Sequence, residues 1–204
     1  MTPTPRQGDL FSMDDSGDAS GRVTASSRQL ADELIISGAR LRDWQSRLHR
    51  HQAPLLQGHP QSGQTQLFGS TRPAELHARF SPLKLRALPL SFWRWPDSPH
   101  HGAAIYAVMD RPDHLPDPIL LYIGETVAAD RRWKGDHDCK TYLASYGEAL
   151  TRAGLGSQPS IRFWGDVPAD LKARRQLEQT LIQTWLPPFN KETRGRWATP
   201  FHAE

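Results

Sequence analysis

Glu178 is the residue whose position most needs a chemical reason. Residues 169–186 repeat apolar side chains at helical spacing, and at about 100° per residue Leu171, Leu177, Leu181, Ile182, Trp185 and Leu186 share one broad face. Glu178 falls near the centre of that face. A carboxylate there loses its water, which is costly unless it is paired with a cation or holds a metal. Arg174, one turn earlier on nearly the same face, is the structural partner within reach. On this helix alone an ion pair and a functional carboxylate remain equally open. Two tyrosines stand in short apolar runs, Tyr106 within AAIYAVM and Tyr122 within ILLYI. Alternation along a strand puts Ile105 on one side and Tyr106 on the other.

The elements that must hold these groups can be read from the spacing. Residues 103–109 and 119–123 read as strands, the second ended by Gly124, and the proline-rich loop between them suggests an antiparallel hairpin. Thr126 can cap a short helix running through Trp133. Residues 140–153 read as a helix with Tyr142, Leu143, Tyr146, Ala149 and Leu150 on one face, which assigns Tyr142 to core packing. Residues 160–164 read as a third strand, and the helix over 169–186 is stopped by Pro187-Pro188. The order β-β-α-α-β-α predicts an α/β (α+β) domain over 91–204, with a small three-stranded, mainly antiparallel sheet flanked by helices.

Upstream, residues 1–26 are rich in Ser, Gly, Asp, Thr and Pro and are expected to form a disordered arm. Residues 27–52 suggest an amphipathic helix, capped by Ser26 or Ser27, with Leu30, Leu34, Leu41, Trp44 and Leu48 near helical spacing. Its arginines, among them Arg40, Arg42, Arg47 and Arg50, make either a solvated face or a grip on DNA. Residues 53–90 read as a low-complexity linker. The run Phe92-Trp93-Arg94-Trp95-Pro96 marks where the chain docks onto a folded domain, with stacking on unpaired bases as the alternative.

Composition narrows the classes. A hydrophobic content of 37% over 204 residues permits a real core, while the plentiful Pro and Gly (17 and 15) point to segments that bury little. Cys139 stands alone, which excludes an internal disulfide framework and any multi-cysteine zinc site. His137 with Cys139 would make a poor zinc site, and a small buried thiol is the preferred reading of Cys139. No apolar run approaches the roughly 18 residues of a membrane span, and the N-terminus does not read as a secretory signal. A cytoplasmic protein with no membrane partner is expected. The net charge of +3 and a pI near 9.2 are compatible with nucleic acid but do not establish it.

The ordered set of residues is more specific than any one of them. Ala104-Ile105-Tyr106 on the first strand is followed by Tyr122-Ile123-Gly124 on the second, then by Arg132, by Glu178 on a later helix, and by Asn190. Over about residues 102–192 the chain resembles the GIY-YIG nuclease family. It is most similar to the branch whose sequences read LLYIGET, RWKG, HDCK and PPFN, found here at 120–126, 132–135, 137–140 and 187–190. The resemblance implies a metal-dependent endonuclease that hydrolyses DNA phosphodiester bonds. In that reading Tyr106 is the candidate general base for the attacking water, and Tyr122 contacts the phosphate or the water. Gly124 brings the backbone close to substrate, and Arg132 steadies phosphate charge with Lys134 nearby. Glu178 holds one divalent ion, Mg2+ or Mn2+, and Asn190 lies beside the substrate. One carboxylate completed by waters is an ordinary way to hold magnesium. A tyrosine near its free value of about 10 is a poor base, so positive charge from Arg132, Lys134 or the ion would have to lower it. The first motif departs from the family in carrying Ala104 for Gly. Asp136 stands where many members have a histidine, so His137 is either a proton shuttle or phosphate ligand, or a cap of the next helix. The alternative function is a non-catalytic DNA-binding or clamp-tethered module with the same fold.

Two segments share the pattern Q-x-x-L-F: Gln7-Gly8-Asp9-Leu10-Phe11 and Gln64-Thr65-Gln66-Leu67-Phe68. They resemble the short peptides by which bacterial DNA-repair and replication proteins hold the sliding clamp. Such a peptide inserts a Leu-Phe pair into an apolar pocket while Gln supplies a directed hydrogen bond. The bland alternatives are a Leu67-Phe68 pair tucked onto the domain and a chance match at Leu10-Phe11.

Overall fold

A computed structural model describes residues 37–58, 73–133 and 138–201. The arm at 1–26, the first residues of the helix expected over 27–52, and both Q-x-x-L-F segments lie outside the described residues. Strand β1 is Leu88–Pro89, β2 is Ala104–Asp110, β3 is Ile119–Thr126 and β4 is Ser160–Trp164. Helix α1 is Gly38–Leu56, α2 Pro73–Ala78, α3 Ala129–Arg132, α4 Asp138–Arg152 and α5 Leu171–Trp185.

β2 and β3 form the expected antiparallel hairpin, with Ile105 opposite Glu125 and Tyr106 opposite Gly124. β4 pairs antiparallel with the other side of β2, and β1 pairs antiparallel with β4. The sheet order is β1-β4-β2-β3, four strands rather than the three expected. A two-residue strand carries no readable alternation. Pro89 suits an edge, where a missing N–H breaks no central ladder.

Every residue of β2 is buried, and alternation sorts them between two faces. Ile105, Ala107 and Met109 pack with Leu177, Leu181, Ile182 and Trp185 of α5. Ala104, Tyr106 and Val108 face the other way, among Ala129, Trp133, Cys139 and Phe163. The hairpin register shifts between Val108 and Met109, so that Val108 faces Tyr122 while Met109 faces Leu120. Leu121 is the extra residue of this bulge. Leu120 and Ile123, three apart, therefore both reach the α5 face, and Tyr122 stays on the side of Tyr106.

α1 is a wall of this body rather than an element standing ahead of it. Ser37 caps it by accepting from the Arg40 N–H at 3.3 Å, and the helix runs past the expected end to Leu56. Leu41, Trp44 and Leu48 are fully buried with Tyr146, Phe189 and Phe201. Gln52 lies flat on β3: its Nε2 donates to the Leu120 carbonyl at 2.9 Å and its Oε1 accepts from the Leu120 N–H at 2.7 Å. Gln45 is buried too, donating to the Tyr146 hydroxyl. A face that includes two buried glutamines is wider than its apolar residues alone suggest, which is why the periodicity reads as a solvated helix. The stretch expected as linker over 53–90 supplies α2 and β1, and the aromatic run docks through buried Phe92, 5.3 Å from the ring of Phe163. Among the described residues, no helix is long and apolar enough to cross a membrane.

Candidate active site

The two tyrosines are brought together by the hairpin register. Tyr106 lies opposite Gly124, and its ring stacks on Tyr122 with centroids 5.9 Å apart and planes at 30°. Gly124 is required here by space. A Cβ at that position would overlap the hydroxyl end of the Tyr106 ring. Trp133 and Phe163 enclose Tyr106 from other sides at 6.2 and 6.0 Å, leaving it 0% exposed. The Lys140 ammonium sits 5.6 Å from the centroid of the Trp133 ring, a cation–π contact at the border of this cluster.

Tyr122 is the less buried of the pair. Its hydroxyl is held far above the ordinary tyrosine value, first by burial, then by the neighbouring Tyr106 and Cys139, by a hydrogen bond with Tyr106, and by Glu178. Tyr122 is therefore a protonated hydroxyl throughout the neutral range, able to donate but not to act as an ionised base.

Glu178 enters from α5 at the point where β3 leaves the sheet. Its Oε1 accepts from the backbone N–H of Glu125 at 3.0 Å. Arg174, the ion-pair partner suggested by the helix, is turned elsewhere. Fully buried, it donates from Nε to Glu125 Oε2 at 3.0 Å and from Nη1 to the carbonyls of Pro168 and Ala169, both at 3.0 Å, while its Nη2 has no hydrogen-bond partner. Arg175 also approaches Glu125, at 3.6 Å. The carboxylate that the α5 arginines neutralise is thus that of Glu125, and no Arg174 hydrogen bond reaches Glu178. Glu125 was not singled out from the sequence, although it stands within the YIGET segment; pairing over 49 residues leaves no local signature.

Asn190 is near this strand but buried. Its Oδ1 accepts from the Ile123 N–H at 3.0 Å and its Nδ2 donates to the Ile123 carbonyl at 2.8 Å, so the amide completes the outer edge of β3 as another strand would. Phe189 adds a backbone bond from its N–H to the Leu121 carbonyl at 3.0 Å. Asn190 thus makes a positioning contact to the backbone beside Tyr122 and Gly124. Tyr142 packs as expected, stacked on Phe189 at 5.6 Å, with Arg194 donating to its hydroxyl. Cys139 is a buried thiol. Arg132 ends α3, six residues after β3, but its side chain is not among those described; Lys134 and His137 lie outside the described residues.

The donor set suits a hard divalent ion only in part. Glu178 offers carboxylate oxygen, the right chemistry for Mg2+ or Mn2+. Among the described residues no group of three or more His, Cys, Asp or Glu could form a protein cage. An ion at Glu178 would complete its coordination with waters and substrate phosphate, as magnesium commonly does. Comparison with family models, with curated proteins and with solved structures finds no match to this chain.

Proposed function

We propose that the chain hydrolyses phosphodiester bonds of DNA with one divalent ion, Mg2+ or Mn2+, held at Glu178. The reading is supported by one observation above the others: a hydrogen-bonded tyrosine pair, one hydroxyl kept protonated, lies in the field of a carboxylate anchored on the same strand end. Tyr122 donates to a phosphoryl oxygen, where charge grows in the transition state. Tyr106 has no exposed surface, so it can serve as base only as a tyrosinate and only through Tyr122, which would pass its own proton inward as it takes one from the attacking water. Gly124 leaves the space that the Tyr106 hydroxyl occupies above it, and Asn190 fixes the strand that carries Tyr122. Arg132, Lys134 and His137 follow β3 in the chain and take the phosphate charge in this reading. The bound ion supplies Lewis acidity and positive charge at the leaving oxygen.

The complete burial of Tyr106 favours a second reading, a DNA-binding module that keeps the fold without catalysis. The two separate in one assay. Supercoiled plasmid and branched DNA are incubated with Mg2+ or Mn2+ and with wild type, Glu178→Gln or Tyr106→Phe. We expect cleavage by the wild type, abolished by chelator and lowered about a hundredfold or more in Glu178→Gln. DNA binding without cleavage by any of the three proteins would leave the binding module. A pH–rate profile unchanged in Tyr106→Phe would remove Tyr106 from the proton path.

A further inference from the structure

At the far end of the central strands, β1, β4 and the β2–β3 loop enclose a cleft of about 340 Å³. Asp110 marks its floor, four residues along β2 from Tyr106 and so roughly 13 Å away in an extended strand. Two arginines line it, Arg111 from the loop and Arg162 from β4. Arg162 donates from Nη1 to the Pro82 carbonyl at 2.8 Å, while its Nε is buried with no hydrogen-bond partner. Among the described residues neither arginine forms an ion pair with a carboxylate. Asp110 is the acidic residue of the lining, and both its oxygens are engaged. Oδ1 accepts from the Ser157 hydroxyl and the Gln158 N–H, each at 2.8 Å, and Oδ2 accepts from the Tyr146 hydroxyl at 2.6 Å.

Two guanidinium groups line one cleft, and the carboxylate of the lining, Asp110, pairs with neither of them. The pKa of Arg162 is lowered first by burial and then by Arg111. An anion between them would relieve both effects, and a guanidinium fork matches the oxygens of a phosphate. The rest of the lining is Ala87, Leu88 and three prolines, an apolar surface for whatever the phosphate carries, together with Gln158 and Ser160. The volume lies at the lower end of the range for small-molecule sites, enough for one nucleotide unit.

We propose that this cleft is a phosphate-binding site, with Arg111 and Arg162 taking the phosphate oxygens and the proline wall taking the attached sugar or base. The phosphate belongs either to a free mononucleotide or to a nucleic-acid strand, which present the same chemistry to the arginines. The inference does not depend on the hydrolytic reading of Glu178, since none of the residues assigned to that reading lines the cleft.

The test is binding by the full chain, in chelator and low salt, of three probes: inorganic phosphate, adenosine monophosphate and a short single-stranded oligonucleotide. Arg111→Gln and Arg162→Gln are compared with Lys172→Gln, an exposed residue of α5 with the same charge change. Loss of charged hydrogen bonds to phosphate should weaken binding about tenfold in each arginine variant, against little change in Lys172→Gln. Arg111 is exposed, so its variant carries the test should Arg162→Gln disturb the fold. Tighter binding of the mononucleotide than of phosphate assigns a free nucleotide. Arginine-dependent binding confined to the oligonucleotide assigns a strand. The proposal fails if none of the probes binds, or if the arginine variants lose no more than Lys172→Gln. Arginine-dependent phosphate binding here, with no DNA cleavage in the separate Mg2+ or Mn2+ assay, would overturn the hydrolytic reading and leave this one standing.

Discussion

Arg174 and Arg162 are both buried in part or whole beside the same small sheet, and they are treated differently. Arg174 is 0% exposed, yet its charge is met by Glu125 at 3.0 Å and two of its donors by backbone carbonyls. Arg162 is half-buried, meets one carbonyl, and faces another arginine. A buried cation with its carboxylate is part of the scaffold: here it ties α5 to the end of β3, beside the N–H that holds Glu178. A cation paired with no carboxylate, opening on a cleft, is left to be completed by something that binds. The tyrosine end is filled side chain against side chain, and the arginine end is hollow.

The largest expected effect lies at the filled end. Arg174→Met should lower unfolding stability by about 3 kcal/mol, because it leaves the Glu125 carboxylate largely buried with only the more distant Arg175 beside it. Urea denaturation measures this directly. The double variant Arg174→Met with Glu125→Met should recover most of the loss, since replacing both members of a buried pair by apolar groups is often near neutral. A single variant as stable as wild type would show that the pair is not the tie we take it for. Gly124→Ala comes next. Its new Cβ collides with the Tyr106 ring, which is enclosed by Trp133 and Phe163 and cannot move freely. A loss of about 2 kcal/mol is expected, as for overpacked cores. The near-ultraviolet circular dichroism of the tyrosines should change with it.

Much of the filled end was legible in the chain, because its determinants are local. β4 occupies the residues that its apolar run predicts, α5 stops before Pro187-Pro188, and Ile105 and Tyr106 divide between two faces as alternation requires. What was not legible rests on contacts between distant residues. The bulge at Leu121 arises from pairing, not from composition. β1 has two residues and no period. Gln45 and Gln52 carry no apolar signal, and only their partners on α4 and β3 account for their burial. Arg174 lies one turn from Glu178, so the local rule joins those two, whereas the fold brings Glu125 from 49 residues away. Asn190 shows the same effect: a polar residue at a suggestive distance from a motif is absorbed by the edge of a strand. The hollow end was missed altogether. Arg111 and Arg162 are ordinary surface-type residues in sequence, and only the antiparallel pairing of β2 with β4 sets them on one cleft.

The smallest expected effect is also the sharpest form of the comparison. Arg162→Met removes one hydrogen bond, to the Pro82 carbonyl, worth about 1 kcal/mol. It also removes a partly desolvated charge, an unpartnered Nε and the repulsion from Arg111, all of which oppose folding. These nearly cancel, so stability should change by less than about 1 kcal/mol, in contrast to the same substitution at Arg174. Adding phosphate should widen the contrast: a ligand that binds only the folded state raises the melting temperature in proportion to its affinity. Wild type should rise with phosphate concentration, and Arg162→Met should need about tenfold more phosphate for the same rise. Equal losses at the two arginines would mean that Arg162 is scaffold after all, and that the cleft holds its charge for structure rather than for an anion.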